Sequence, residues 1–335
     1  MSDLRGPLPE IILCGYERGG TTLLSQIFRE NGFVSGFEVG VLMCDSPAAF
    51  PSFQPYAGML HAGWGLGKRI TLEELCSGDF AHFYRRLGRT AYPRKVEQPF
   101  FDKTPIYMRR LGFVLQQTEF INKAVVITRD PRAVFTSWAK RLFDNGVQPK
   151  GIDREVRKRL RQYTSRYLDY FYGCIAHRHR SNVYFLPYED LCAEPERCVA
   201  ALGEFATGSP FVLETMEHSF NNVYGNTIST DNVAEFGRLL SNETQTMILE
   251  ATQSAAPFFY QDRDITPYLR HWRELDSRVH KVIRKCGIQN FSEQVAGHYF
   301  EPETYLLRNG DVLTNQIDPR RHFFNHGKSE ARLPS

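Results

Sequence analysis

A short apolar run, Ile11-Ile12-Leu13, leads into Cys14-Gly15-Tyr16-Glu17-Arg18-Gly19-Gly20-Thr21-Thr22-Leu23-Leu24 and then into a helical pattern through Ser25, Ile27 and Phe28. Strand, glycine-rich turn and helix in that order commit a chain to an α/β arrangement. Backbone N–H groups lining such a turn, with the positive end of the helix behind them, make a cradle for an anion. The ATP-binding version of this turn, G-x-x-x-x-G-K-[ST], needs a Lys directly after its second Gly. Counted from Gly15, Gly20 is in place, but Thr21 holds the lysine position and the loop's basic residue stands earlier, at Arg18. The loop is suited to an anionic nucleotide and poorly built for Mg-ATP chemistry.

Three more apolar runs read as strands: Pro99 to Asp102, Lys123 to Thr128, and Asn182 to Leu186. Short continuous apolar runs suit strands covered on both faces of a parallel sheet. Helical patterns alternate with them. Arg132 to Phe143 opens after Asp130-Pro131, a helix-start signal, and Asp153 to Arg180 repeats Val156, Leu160, Tyr163, Tyr167, Phe171 and Cys174 at helical spacing. The expected fold is a three-layer, P-loop-like α/β domain with a mostly parallel sheet over residues 1–285, followed by a small helical C-terminal module over 286–335. Ligands of such sheets sit beyond the carboxyl ends of the strands. Residues 45–70 are rich in Pro, Gly and aromatics. They read as a long loop or lid, either an acceptor-site wall or an irregular connection packing its own rings.

Composition narrows the function. A net charge of +3 gives no case for nucleic acid. No apolar run reaches the roughly 18–20 residues of a membrane span, and the first residues lack an apolar signal core. Seven scattered cysteines without a C-x-x-C pair argue against a zinc site and fit a reducing cytoplasm. His177-Arg178-His179-Arg180 has a metal-like spacing, but at the end of a basic helix it reads as a match to the helix dipole. The Arg154, Arg157, Lys158, Arg161 and Arg166 face of that helix reads as solvated, with contact to an acidic glycan or membrane surface as the alternative.

A second constellation leaves the strand that ends at Thr128: Arg129-Asp130-Pro131-Arg132, with Ser137 on the helix that follows. A guanidinium and a hydroxyl so placed can grip one phosphate. Two anion sites suit a nucleotide phosphorylated at two positions. Together these segments resemble the PAPS-dependent sulfotransferases, in the bacterial form related to carbohydrate and tyrosylprotein sulfotransferases. Tyr16 to Leu24 is similar to the family's x-x-[KR]-[SG]-G-T-T-x-L loop for the 5′-phosphosulfate, and Arg129 to Ser137 to its 3′-phosphate motif. Lys103-Thr104-Pro105-Ile106-Tyr107 resembles K-[ST]-P-x-Y, whose Lys faces the reaction centre. Tyr188-Glu189-Asp190-Leu191 resembles the Y-E-D-L segment, whose Tyr helps hold adenine, and Glu38 stands where bacterial relatives carry a catalytic Glu. The resemblance covers roughly residues 8–275.

The resemblance implies PAPS as cofactor, PAP as product, no metal, and a hydroxyl acceptor. Gly19, Gly20, Thr21 and Thr22 would hold the phosphosulfate, with Arg129, Ser137 and Tyr188 on the rest of the nucleotide. Glu38 would act as general base, and Arg18, assisted by Lys103, would stabilise the leaving oxygen. Asp45, Asp102 and Glu17 are alternative carboxylates, and Glu17 departs from the family pattern. Asn226 or Ser229 would close over the nucleotide. The tail from Tyr305 to Val312, followed by His322 to Arg332, resembles a short bacterial module found beside surface-polysaccharide enzymes, with Gly310 where Pro is usual. That points to a saccharide or glycolipid acceptor. A P-loop nucleotide or small-molecule kinase and a non-catalytic PAP-binding partner in polysaccharide assembly are the rival readings.

Overall fold

The computed structural model describes residues 7–95, 97–142, 151–213, 228, 233–258 and 266–335. The chain folds into two compact units, each described here by itself. The first comprises Met1–Met108, Val114–Arg129 and Arg180–Ala234, and the second Arg109–Phe113, Asp130–His179 and Glu235–Ser335.

The first unit is built on a parallel sheet of β1 (Pro9–Gly15), β2 (Phe100–Lys103), β3 (Lys123–Thr128) and β4 (Val183–Pro187), in the order β2-β1-β3-β4. Leu13 pairs with Lys103 and with Val125, Gly15 with Ile127, and Thr128 with Pro187. β1, β3 and β4 therefore end within one residue of each other, and β2 stops two residues earlier, beside Leu13. Their near-continuous apolar sequence is explained by what covers them. On one face Leu13, Phe101, Val125 and Ile127 share a core with Leu24, Ile27 and Phe28 of α1 (Thr21–Glu30) and with Val199 and Leu202 of the helix Pro195–Thr207. On the other face Tyr84, from the helix Phe80–Ala91, meets Phe100 with ring centroids 6.3 Å apart. The three expected layers are present within this unit.

Two expectations change. Residues 45–70 are not one long loop: they contain a 3-10 turn, Pro47–Ser52, and a helix, Tyr56–Gly63. Gly58 and Gly63 give this helix poor intrinsic propensity, and burial of Tyr56, Ala57 and Leu60 overrides it. The Glu38 segment, expected to follow a second strand after α1, has no full strand between it and α1 among the described residues. Val34 makes a single parallel bridge to Phe100, with its N–H donating to the Pro99 carbonyl at 2.9 Å.

In the second unit the Asp130 carboxylate accepts from the Arg132 backbone N–H at 2.7 Å and caps the helix Pro131–Arg141. The long helix is Ile152–Ile175 and buries Val156, Tyr163, Tyr167, Phe171 and Cys174. It stops short of Arg180, and His177 turns inward, fully buried, 3.2 Å from the buried carboxylate of Glu301. This corrects the reading of His177 as a helix-end dipole match. The basic face of that helix is partly neutralised: Arg157 meets Asp153 of the same helix at 3.1 Å and Glu243 of the helix Asn242–Ala251 at 2.7 Å. The C-terminal segment carries an antiparallel pair, β5 (Glu293–Val295) and β6 (His298–Phe300), ahead of the short helices Pro302–Arg308, Gly310–Thr314 and Pro319–His322. Arg308 lies 3.2 Å from Asp169, which Arg109 also approaches at 2.5 Å. Gly112 is needed where it stands, because a Cβ there would fall 1.6 Å from Glu301 Oε1. No described helix is long and apolar enough to cross a membrane.

Candidate functional site

Because the four strands are parallel, their carboxyl ends present the next residues at one edge of the sheet. From β1 comes the turn Tyr16–Gly20. Gly19 N–H donates to the Tyr16 carbonyl at 2.8 Å, which tightens the turn. Arg18 adopts φ +67°, uncommon for a residue with a Cβ, and its side chain is exposed. Gly20 caps α1 at φ +102°, and a Cβ there would lie 2.5 Å from the Tyr188 ring. Here glycine is required twice, by conformation and by space. The first turn of α1 contains no acidic residue and no side-chain cap. The amides of Thr21 and Thr22 therefore face the loop without intrahelical partners, as at any helix start.

The turn is gripped from the β3 side. The Arg129 guanidinium donates to the Arg18 carbonyl at 2.8 Å and lies 4.2 Å from the centre of the Tyr188 ring, the first residue after β4. Arg129, Tyr188 and the loop thus form one contiguous patch. Ser137 lies half-buried on the helix Pro131–Arg141 of the second unit. Asn226 and Ser229 fall outside the described residues.

On the β2 side, Lys103 ends its strand and reaches Glu38 at 3.0 Å. Its ammonium also lies 4.8 Å from the centre of the Phe37 ring, which is 44% exposed. Burial pushes the Lys103 pKa down, and the Glu38 carboxylate opposes that shift. The structure therefore brings together a carboxylate and an ammonium. Of the other carboxylates, Asp102 is fully buried. It points to the opposite face of β2 from Lys103 and is closed off from solvent by three hydroxyl donors: Tyr84 at 2.5 Å, Tyr107 at 2.8 Å and Thr104 at 2.8 Å. It cannot reach an acceptor hydroxyl. Sequence reading did not find the partnership with Tyr84. Tyr84 sits in a helix without a local motif, whereas Tyr107 was visible inside the K-T-P-x-Y segment.

Burial pushes the Asp102 carboxyl up to about 6, against its three hydrogen bonds and the charge of Lys103. Folded Asp102 then holds a proton that the unfolded chain has released, so stability falls as pH rises from about 4 to about 6. Unfolding of wild type and Asp102→Asn across that window is expected to show the wild type losing on the order of 3 kcal/mol relative to the variant. A difference that does not change with pH would contradict the assignment.

The comparisons with known proteins bear on this arrangement. The family model for the sulfotransferase domain matches residues 8–262. No curated protein sequence matches. The fold is similar to the sulfotransferase domain of the olefin synthase from Synechococcus PCC 7002, with 18% identity, a TM-score of 0.51, and coverage of 76% of this chain and 96% of that one. A sulfotransferase domain from the curacin biosynthetic pathway gives 18% identity and a TM-score of 0.48, covering 73% and 98%. Mouse sulfotransferase SULT7A1, complexed with PAP, gives 12% identity and a TM-score of 0.45, covering 79% and 91%.

Proposed function

The chain belongs to the sulfotransferase domain family, and from that premise we propose that it moves a sulfuryl group from PAPS to a hydroxyl of a saccharide or glycolipid. The observation that carries the reading is the joining, at one sheet edge, of an anion loop lacking the ATPase lysine to the Glu38–Lys103 pair. The loop amides and the Thr21 and Thr22 hydroxyls fit a phosphosulfate, and Arg129 with Tyr188 fits the far end of the nucleotide. Ser137 is proposed as a further 3′-phosphate ligand.

In the transfer, the acceptor oxygen forms a bond to sulfur while the bond from sulfur to the bridging phosphate oxygen breaks. The acceptor proton goes to Glu38, and the bridging oxygen departs with the electron pair as part of PAP. Arg18 and Lys103 offset the charge that develops there. Because PAPS is already activated, positioning and charge stabilisation supply most of the rate. The resemblance of the tail to a module beside surface-polysaccharide enzymes supports the acceptor class. We place the start of that module near residue 286 as a change of sequence character.

The test is transfer of label from ³⁵S-PAPS to a panel of saccharides, lipids and phenols, with EDTA present. Labelled saccharide or glycolipid is the expected product. ATP-dependent phosphorylation that EDTA abolishes would replace this reading with a kinase. Arg129→Ala is expected to weaken PAP by at least about tenfold more than adenosine 5′-phosphosulfate, since a lost charge-assisted contact is worth roughly 1.5–3 kcal/mol. Equal losses in titrations with the two nucleotides would remove Arg129 from the 3′-phosphate.

A further inference from the structure

The three hydroxyls around Asp102 do more than satisfy a buried carboxylate. Thr104 donates its one hydroxyl proton to Asp102 Oδ1, so its lone pairs face outward. They accept from the backbone N–H of Val39 at 3.0 Å and of Gly40 at 3.2 Å. Tyr107 donates to Asp102 Oδ2 and accepts from the Leu42 N–H at 3.4 Å. Three of the four amides that follow Glu38 are thus held, through two hydroxyls, by one carboxylate. Tyr84 donates to Oδ2 as well and ties the carboxylate to the helix Phe80–Ala91. The held segment is packed on another side as well: Gly40 sits at φ +81° beside Tyr56, whose ring a Cβ would meet at 2.7 Å.

The direction of donation matters. A carboxylate accepts from every neighbour, which forces both hydroxyls to turn their lone pairs toward the 39–42 backbone. An amide at position 102 would present donors to hydroxyl oxygens already engaged by N–H groups. The same residue precedes Lys103 in the chain, so one buried group sets both members of the Glu38–Lys103 pair.

We propose that Asp102 is a positioning residue for sulfuryl transfer, fixing the Glu38 backbone relative to Lys103 through Thr104 and Tyr107. This rests on the proposed function above, in which Glu38 is the base. The assignment explains why a carboxylate is kept where burial opposes it, and it touches neither nucleotide nor acceptor.

The test pairs hydrogen exchange with kinetics in Asp102→Asn and in two milder variants, Thr104→Val and Tyr107→Phe. In the unliganded protein, amides of residues 39–42 are expected to exchange at least about fivefold faster in each variant, because each loses a hydrogen bond. With the acceptor found by labelling, kcat is expected to fall about 10- to 100-fold while PAP affinity stays within about twofold, since displacement of a reacting group by even 1 Å is costly. Thr104→Ser, which keeps the hydroxyl, is expected to restore both readouts. If Asp102→Asn does not fold, the two milder variants carry the test. Faster exchange with unchanged kcat, or unchanged exchange, overturns the positioning role. A wild type that transfers nothing to any acceptor would defeat the functional reading instead, and the exchange result would still decide whether Asp102 organises residues 39–42.

Discussion

Glu38→Gln is expected to lower sulfuryl transfer by about 10²- to 10⁴-fold, the usual worth of a positioned general base, while leaving PAP affinity within about twofold. Glutamine keeps the size of the side chain and can still accept from Lys103, 3.0 Å away in the native protein. It cannot take the acceptor proton. Single-turnover transfer from labelled PAPS, beside PAP titration, separates the two effects. Undiminished turnover in the variant would remove Glu38 as base. Asp102 would not then inherit the role, because it is fully buried behind Tyr84, Thr104 and Tyr107. Arg18→Ala is expected to fall by about 10²- to 10³-fold for a different reason, loss of charge at the departing oxygen.

The second large effect concerns stability. A chain ending at residue 285 is expected not to fold its second unit. Residues beyond that point bury Phe300, Glu301, Tyr305, Leu306, Val312 and Phe323. At roughly 1.5–3 kcal/mol for each large apolar side chain, their loss is comparable to the whole stability of a domain, about 5–15 kcal/mol. His177→Ala tests the same region more finely. Burial alone pushes Glu301 up, but His177 first, and then hydrogen bonds from Tyr299 and Thr304, hold its carboxyl below the usual range. Such a group stabilises the fold above its unfolded pKa, and that contribution is lost as pH falls through the carboxylate range. Removing the imidazole from this buried pair is expected to cost about 3–5 kcal/mol, read as a shift in denaturant midpoint at neutral pH. A truncated chain that unfolds cooperatively with native-like stability, or a His177→Ala variant as stable as wild type, would contradict this account.

The strand–loop–helix unit was legible because its information is local. The apolar run, the glycines and the threonines that build the loop all lie between Ile11 and Leu24. Arg129 and Tyr188 were legible because each directly follows a strand whose neighbours are β-formers. What sequence hid was long-range. The inward turn of His177 depends on Glu301, far along the chain, so the local string His177-Arg178-His179-Arg180 looked like a helix end. The helix Tyr56–Gly63 was hidden because its glycines argue against it, and only the burial of its apolar side decides otherwise. Of the hydroxyls around Asp102, those of Thr104 and Tyr107 lie in the K-T-P-x-Y segment beside it, but Tyr84 comes from a separate helix and no spacing rule joins it to them.

The strand order has a practical consequence. Within the sheet β1 is central, with β2 on one flank and β3, then β4, on the other. Glu38, Phe37 and Lys103 belong to the first flank, and Arg129 and Tyr188 to the second. Under the proposed function, the grip on the nucleotide and the proposed base then fall on separate sides of a shared loop, with Lys103 beside the base. On that reading, segments grafted onto the β2 flank from a relative of different specificity are expected to redirect transfer to a new hydroxyl while PAP affinity is inherited unchanged, a modularity useful for building sulfation catalysts to order.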